Sequence, residues 1–505
     1  MSVARSYTIQ PEVGDGHVIT IEADRSRGLH SFSVVGLASK AIDEAKDRVN
    51  AAIKNSGFKA PKSSNHKIVI SLAPADRKKE GTHFDLPIAI SYLVAAGDIN
   101  AELESVALLG ELGLDGTLRP VRGVLPAVQT AAARGFRSVI VPSENAAEAA
   151  LVPGISVYPA PSLRAVVCHL DPAHEDHASL EPAPPTTIPS HWQEHGLRLE
   201  DIKGQESAKR GLIIAAAGGH NVLMVGPPGT GKTMLARALQ NLLPPLSTES
   251  ALEVLAIHSY AGHLADNLST EPPFRSPHHS ASHTSLVGGG TNPKPGEVTL
   301  AHKGVLFMDE FPEFERRCLD ALRQPLEDKV VTISRVQGTA TFPANFMLVA
   351  ALNPYRGSED GSSDYAASLA DTYKQKVSGP ILDRIDLWLE MPHVDYDTLT
   401  ETNTKSDETT VARQQILAAR SRQRERLAGR GIETNDELRA RDIEELVVLS
   451  DPVQALLKQS SQKLNLSPRS YHRLIKVART IADLDEAEHI REKHLLEALQ
   501  YRVKI

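Results

Sequence analysis

The chain has 505 residues, a formal net charge of −8 at pH 7, 41% hydrophobic and 23% charged residues. The length predicts about two to four globular domains, and the acidic balance excludes arguing for a polyanionic partner from global charge, so such a partner requires a local basic track. Cys168 and Cys318 stand far apart with no metal-ligand spacing. No apolar run reaches membrane-spanning length, and no apolar signal core follows Met1, so a cytoplasmic protein with no disulfide scaffold and no membrane partner is expected.

In chain order, residues 1–170 mix β-rich runs (Lys67-Ile68-Val69-Ile70-Ser71-Leu72 and Ser138-Val139-Ile140-Val141-Pro142) with alanine-rich helical stretches such as Ala127 to Arg134. That alternation is an α/β or α+β pattern. Residues 171–195 are rich in proline, lack apolar periodicity and read as a linker. Residues 196–395 carry the motifs described below. Residues 396–410 are polar and acidic, a further loop, and residues 411–505 are patterned as helices around Leu446, Leu474 to Ile481, and Leu495 to Leu499.

The most specific motif is Gly226-Pro227-Pro228-Gly229-Thr230-Gly231-Lys232-Thr233. It follows the apolar run Val222 to Val225 and precedes the helix-like Met234 to Leu239. Strand, glycine loop and helix together make this a Walker A phosphate loop rather than an ordinary turn. Its backbone N–H groups converge on phosphate oxygens, and the helix N-terminus adds partial positive charge. Lys232 is expected on the β- and γ-phosphates of ATP, with Thr233 as a ligand of Mg²⁺.

About 80 residues on, Val305-Leu306-Phe307-Met308-Asp309-Glu310 reads as a buried parallel strand that delivers two carboxylates at its C-terminal end. Asp309 is expected in the Mg²⁺ shell and Glu310 as the base that polarises the attacking water. A second buried strand, Phe346 to Leu352, ends in Asn353, whose amide can hold the water or the γ-phosphate without adding charge. Arg384, in Leu382-Asp383-Arg384-Ile385-Asp386, sits where a neighbouring subunit's ATP can be reached. Arg469, in Ser467-Pro468-Arg469-Ser470-Tyr471, is expected to touch the γ-phosphate from a C-terminal lid. Taken alone, either arginine reads as a solvated surface charge.

The order of these motifs resembles an AAA+ ATPase of the magnesium-chelatase-like branch. Phe274-Arg275-Ser276-Pro277-His278-His279-Ser280, Pro293-Lys294-Pro295-Gly296-Glu297, Leu322-Arg323-Gln324-Pro325-Leu326-Glu327-Asp328 and Tyr471-His472-Arg473-Leu474-Ile475 resemble the YifB/ComM family nearly end to end. The resemblance implies an α/β multidomain chain with a central AAA+ P-loop core and a helical lid. It further implies a homohexameric helicase acting on single-stranded and branched duplex DNA, with a recombinase as a further partner, that promotes branch migration in homologous recombination during natural transformation.

Val330 to Phe342 reads as a β-hairpin with Gly338 in the turn region. It resembles the pre-sensor-1 hairpin of the same branch, where a basic tip residue follows the DNA backbone, a place that Arg335 matches. The loop with Gly288-Gly289-Gly290 and Lys294 is the second expected pore-facing element. Six copies of one arginine in a ring make a positive collar despite an acidic subunit.

His278, His279 and His283 lack accompanying cysteines, which favours hydrogen-bonding roles over zinc. Tyr355 to Ser363 lacks the cysteine-rich insertion of many relatives, so no zinc-stabilised subdomain is expected there. The N-terminal block, through Gly81-Thr82-His83-Phe84-Asp85 and Leu118-Arg119-Pro120-Val121-Arg122-Gly123, resembles the Lon-protease-type, ribosomal S5 domain 2-like fold. The positions of the Lon serine and lysine hold His83 and Leu125, so the domain is expected to be non-proteolytic. An ATP-dependent protein remodeller is the alternative; a chelatase subunit would need a metal-binding partner domain that this chain lacks.

Overall fold

The computed structural model describes residues 3–37, 39–63, 65–190, 192, 196–264, 268–290, 293–335, 338–353, 379–395, 407–464 and 466–502. The chain forms two compact units, Met1–Pro189 with Ala251–Ser269, and Ser190–Ser250 with Thr270–Ile505. Among the described residues no helix is long and apolar enough to cross a membrane.

The first unit is built on a mixed seven-stranded sheet. Its strands are β1 (Ala4–Gln10), β2 (His17–Arg27), β3 (Ser31–Val35), β4 (His66–Ala73), β5 (Val106–Leu108), β8 (Ser138–Pro142) and β9 (Ser156–Ala160), with β6 (Glu111–Leu112) and β7 (Leu118–Arg119) forming a separate small hairpin. The sheet order is β3-β4-β2-β1-β5-β8-β9. Alternating burial along β2 and β4 sends Ile19, Ile21, Ile68 and Ile70 to one face, as a period of two requires. There they meet the helices Lys40–Asn55 and Asp85–Ala96.

Residues 251–269, which lie inside the block 196–395 delimited from sequence, belong to this first unit. Leu255 and Ala256 share a core with Val124, Val128 and Val139. The Ser259 hydroxyl donates to the buried Glu148 carboxylate, which also accepts from the Leu125 N–H at 2.9 Å and from Asn145 Nδ2 at 3.3 Å. Burial pushes the Glu148 carboxyl above its usual range, and these hydrogen bonds pull against it.

His83 is 4% exposed and packs against Phe84 with the rings tilted and their centroids 4.3 Å apart. Its Nε2 finds no hydrogen-bond partner among the described residues. Desolvation pushes its pKa down to about 3, so the ring is neutral and closed off rather than poised as a base. Leu125 is fully buried at the start of the helix Val124–Ala133.

The second unit holds a five-stranded, all-parallel sheet of order β11-β14-β17-β10-β18: β10 (Val222–Val225), β11 (Phe274–Arg275), β14 (Val305–Met308), β17 (Met347–Leu352) and β18 (Leu387–Glu390). Every residue of β14 and β17 is buried, as expected for parallel strands covered on both faces. Two short hairpins branch off, β12 (Gly288–Gly289) with β13 (Lys294–Pro295), and β15 (Val330–Arg335) with β16 (Gly338–Pro343). The C-terminal helices share one core with the sheet, Val477 and Ile481 joining Leu212, Val222 and Leu387.

The His83 ring predicts a pH dependence of stability. Its folded-state pKa is depressed below the unfolded 6.5, so no penalty exists above pH 6.5. Below that the unfolded chain takes up a proton that the fold refuses, and stability falls by about 1.4 kcal/mol per pH unit. Hydrogen exchange of the β1 and β2 amides in full-length wild type against His83→Leu, between pH 7 and 5, isolates this term. A difference that does not grow as pH falls contradicts the buried neutral ring.

Candidate nucleotide site

The phosphate loop connects the C-terminal end of β10 to the helix Lys232–Leu242. Gly226 is needed for space: a Cβ there would lie 2.3 Å from the Met391 carbonyl oxygen, against the end of β18. Gly229 and Gly231 are needed for conformation instead, with φ of +82° and +90° and open space around an added Cβ. The loop is braced by the Thr230 hydroxyl on the Pro227 carbonyl at 2.9 Å. The Lys232 ammonium donates to the carbonyls of Gly226 at 2.8 Å and Pro227 at 2.7 Å, so the cation is held across the loop mouth. Desolvation lowers its pKa, and the Asp309 charge opposes that shift.

Asp309 and Glu310 follow β14 at the same edge of the sheet. Thr233 Oγ1 donates to Asp309 Oδ2 at 3.2 Å, and the Glu310 N–H donates to Asp309 Oδ1 at 2.9 Å. A hydroxyl and a carboxylate meeting at the start of a helix are the hard oxygen donors that Mg²⁺ takes. Glu310 adopts φ +51°, a left-handed conformation uncommon outside glycine. His279 Nδ1 lies 3.1 Å from Glu310 Oε2, and its ring packs tilted against that of His278. Sequence reasoning left His279 a general hydrogen-bonding residue and did not pair it with Glu310. Asn353 follows β17, is exposed, and sits beside the loop, since the Gly226 N–H donates to Leu352 O at 3.3 Å.

Arg384 and Arg469 are elsewhere. Val222 pairs with Leu387 and Val225 with Glu390, so Arg384, three residues before Leu387, lies at the N-terminal edge of the sheet. At 3.3 Å per residue, the four residues of β10 separate that edge from the phosphate loop by about 13 Å. Asn221 fixes this end: its Nδ2 donates to the Arg384 carbonyl at 3.0 Å, its Oδ1 accepts from Leu348 N–H at 2.8 Å, and its own N–H donates to Asp386 Oδ2 at 3.1 Å. Arg384 donates to the Glu327 carboxylate, as does Arg469 at 2.7 Å. Arg469 is thus grouped with Arg384 through Glu327.

The remaining sequence candidates lie on the hairpins. In β15 and β16, Arg335 pairs with Gly338, so Gly338 begins a strand rather than occupying the turn; residues 336 and 337 lie outside the described residues. Lys294 is exposed and pairs with Gly289. The two hairpins adjoin, because a Cβ on Gly288 would lie 3.2 Å from Ile333 Cδ1. The stretch Tyr355 to Ser363 lies outside the described residues.

A glycine loop at the carboxyl edge of a parallel sheet, with Thr233, Asp309 and Glu310 beside it, is the arrangement of α/β proteins that bind ligands at that edge. Family models agree on a narrower assignment: magnesium chelatase, subunit ChlI, matches residues 198–399; subunit ChlI of Mg-chelatase matches 21–145; and its C-terminal model matches 406–502. The YifB protein of Salmonella typhimurium is 44% identical over 495 residues, covering 96% of this chain and 94% of its own. The competence protein ComM of Haemophilus influenzae is 43% identical over 512 residues, covering 100% and 98%. The DNA replication licensing factor Mcm6 of Drosophila melanogaster is 25% identical over 201 residues, 37% of this chain and 22% of its own. The chain belongs to the YifB/ComM family of magnesium-chelatase-like proteins.

The close approach at Gly226 predicts that Gly226→Ala, which forces apart the loop and the residue after β18, destabilises the second unit by about 1–3 kcal/mol. A fall in urea midpoint, followed by Trp388 fluorescence, reports it. An unchanged midpoint contradicts the contact with Met391.

Proposed function

We propose that this protein is a cytoplasmic, Mg²⁺-dependent ATP hydrolase of the AAA+ class. It assembles into a homohexameric ring and moves single-stranded and branched duplex DNA as a helicase. Lys232 and the loop N–H groups hold the phosphates; Thr233 and Asp309 hold Mg²⁺, whose charge offsets that developing on the phosphoryl oxygens. Glu310 takes the proton of the attacking water, and Asn353 orients that water.

The observation that carries this reading is the position of Arg384. An arginine at the N-terminal edge of its own sheet is far from its own phosphate loop, and it stands at an edge that the loop of the next subunit can meet. Hydrolysis then depends on assembly. The DNA reading draws on the two adjoining hairpins bearing Arg335 and Lys294, and on the relatedness to the competence protein ComM and to a DNA replication licensing factor. On that basis the cellular role is branch migration in homologous recombination during natural transformation, with a recombinase as partner.

Lys232→Ala is expected to abolish binding of a fluorescent ATP analogue, whereas Glu310→Gln is expected to bind ATP and hold DNA without turning over. Continued hydrolysis by Glu310→Gln would remove it as the base. Arg384→Ala is expected to bind ATP near normally and to lose turnover by about a thousandfold; normal turnover there excludes an arginine supplied in trans. Single-stranded DNA is expected to stimulate wild-type turnover, and Arg335→Ala to lose that stimulation while keeping basal hydrolysis. Turnover indifferent to DNA, with a three-strand branch-migration substrate untouched at saturating ATP, overturns the DNA reading in favour of protein remodelling.

A further inference from the structure

Glu327 lies in the short helix Arg323–Asp328 that precedes β15. One of its carboxylate oxygens accepts from Arg469 Nη2 at 2.7 Å and the other from Arg384 Nη2. The two arginines arrive from 57 and 142 residues away. Arg384 is 13% exposed, with its other terminal nitrogen donating to the Pro380 carbonyl, so its guanidinium is held from both sides. Arg469 is 56% exposed. Its helix, Pro468–Leu484, is anchored one turn later, where Arg473 donates to the Ile385 carbonyl and lies 3.8 Å from Asp383 Oδ1. The first two turns of that helix therefore hold the residues on both sides of Arg384.

Two guanidinium groups brought this close repel each other unless a carboxylate stands between them. A carboxylate has an oxygen for each, and charge-assisted hydrogen bonds fix direction as well as distance. We propose that Glu327 is a positioning residue that joins Arg384 and Arg469 into one two-arginine unit, presented together to the triphosphate held by a neighbouring subunit. The inference rests on the reading of Arg384 as an arginine supplied in trans. Glu327 touches no nucleotide in this scheme. It ties an arginine of the sheet to an arginine of the C-terminal helices, so that both reach the neighbour's γ-phosphate in one geometry or neither does.

The test uses the full-length protein. Glu327→Ala is expected to lower kcat about tenfold or more with the KM for ATP within about twofold, because positioning is lost and ground-state binding is not. Glu327→Asp is expected to recover part of the rate. The double variant Glu327→Ala/Arg469→Ala is expected to turn over no more slowly than the slower single variant, since residues acting as one unit are not additive. Without nucleotide, hydrogen exchange in the first turn of Pro468–Leu484 is expected to quicken in Glu327→Ala and to return toward wild type in Glu327→Asp. Wild-type turnover by Glu327→Ala, or losses that multiply in the double variant, overturns the inference. Should Glu327→Ala fail to fold, Glu327→Gln keeps the shape, and wild-type kinetics in that variant overturn it equally. If Arg384→Ala itself turns over normally, the trans reading and this inference fall together; if Arg384→Ala is inactive while Glu327→Ala matches wild type, only this inference falls.

Discussion

The parallel register of β10 with β17 and β18 is the constraint on which the rest of the second unit depends. Parallel strands send all their carboxyl ends to one edge, so Gly226, Glu310 and Asn353 collect there without further arrangement. The same register sends the residue before each strand to the opposite edge, where Arg384 and Arg469 meet Glu327. One geometric rule thus separates the glycine loop and its carboxylates from the two arginines by the length of a strand. The separation is what makes assembly a condition of chemistry in the proposed function.

Buried polar groups hold that register. Asn221, just before β10, uses its side-chain amide and its backbone N–H on three different partners, Leu348 at the start of β17 and Arg384 and Asp386 just before β18. The buried His220 next to it bonds Thr480 of the helix Pro468–Leu484 at 2.8 Å. A one-residue slip between β10 and β17 would strand these groups in a dry interior, at about 1–3 kcal/mol for each unsatisfied group. The network therefore specifies the alignment as well as adding stability, and it fixes the C-terminal helices to the same edge as Arg384.

The strand, glycine loop and helix around Gly226 were legible because they form a contiguous motif whose backbone conformation is written in its glycines. The apolar runs before Gly226, Asp309 and Asn353 were legible as strands because a parallel strand buried on both faces needs apolar residues throughout. The hairpin around Arg335 followed from its β-branched run, although Gly338 proved to be a strand residue. His279 was visible as a histidine but not as the partner of Glu310, since the 30 residues of intervening chain decide whether they meet. The excursion of residues 251–269 into the first unit carried no compositional mark, because the apolar face that seats Leu255 fits one core as well as another.

What the amino-acid sequence determined by itself was local: a glycine loop between a strand and a helix, and a buried strand that ends in two carboxylates. Each depends on a few neighbouring residues and the conformations they favour. The tertiary structure alone decided which groups stand together: Thr233 with Asp309, His279 with Glu310, and both arginines on Glu327 at the far edge of the sheet. Those pairings depend on strand register and helix packing, which are properties of the whole core and belong to no single stretch of chain.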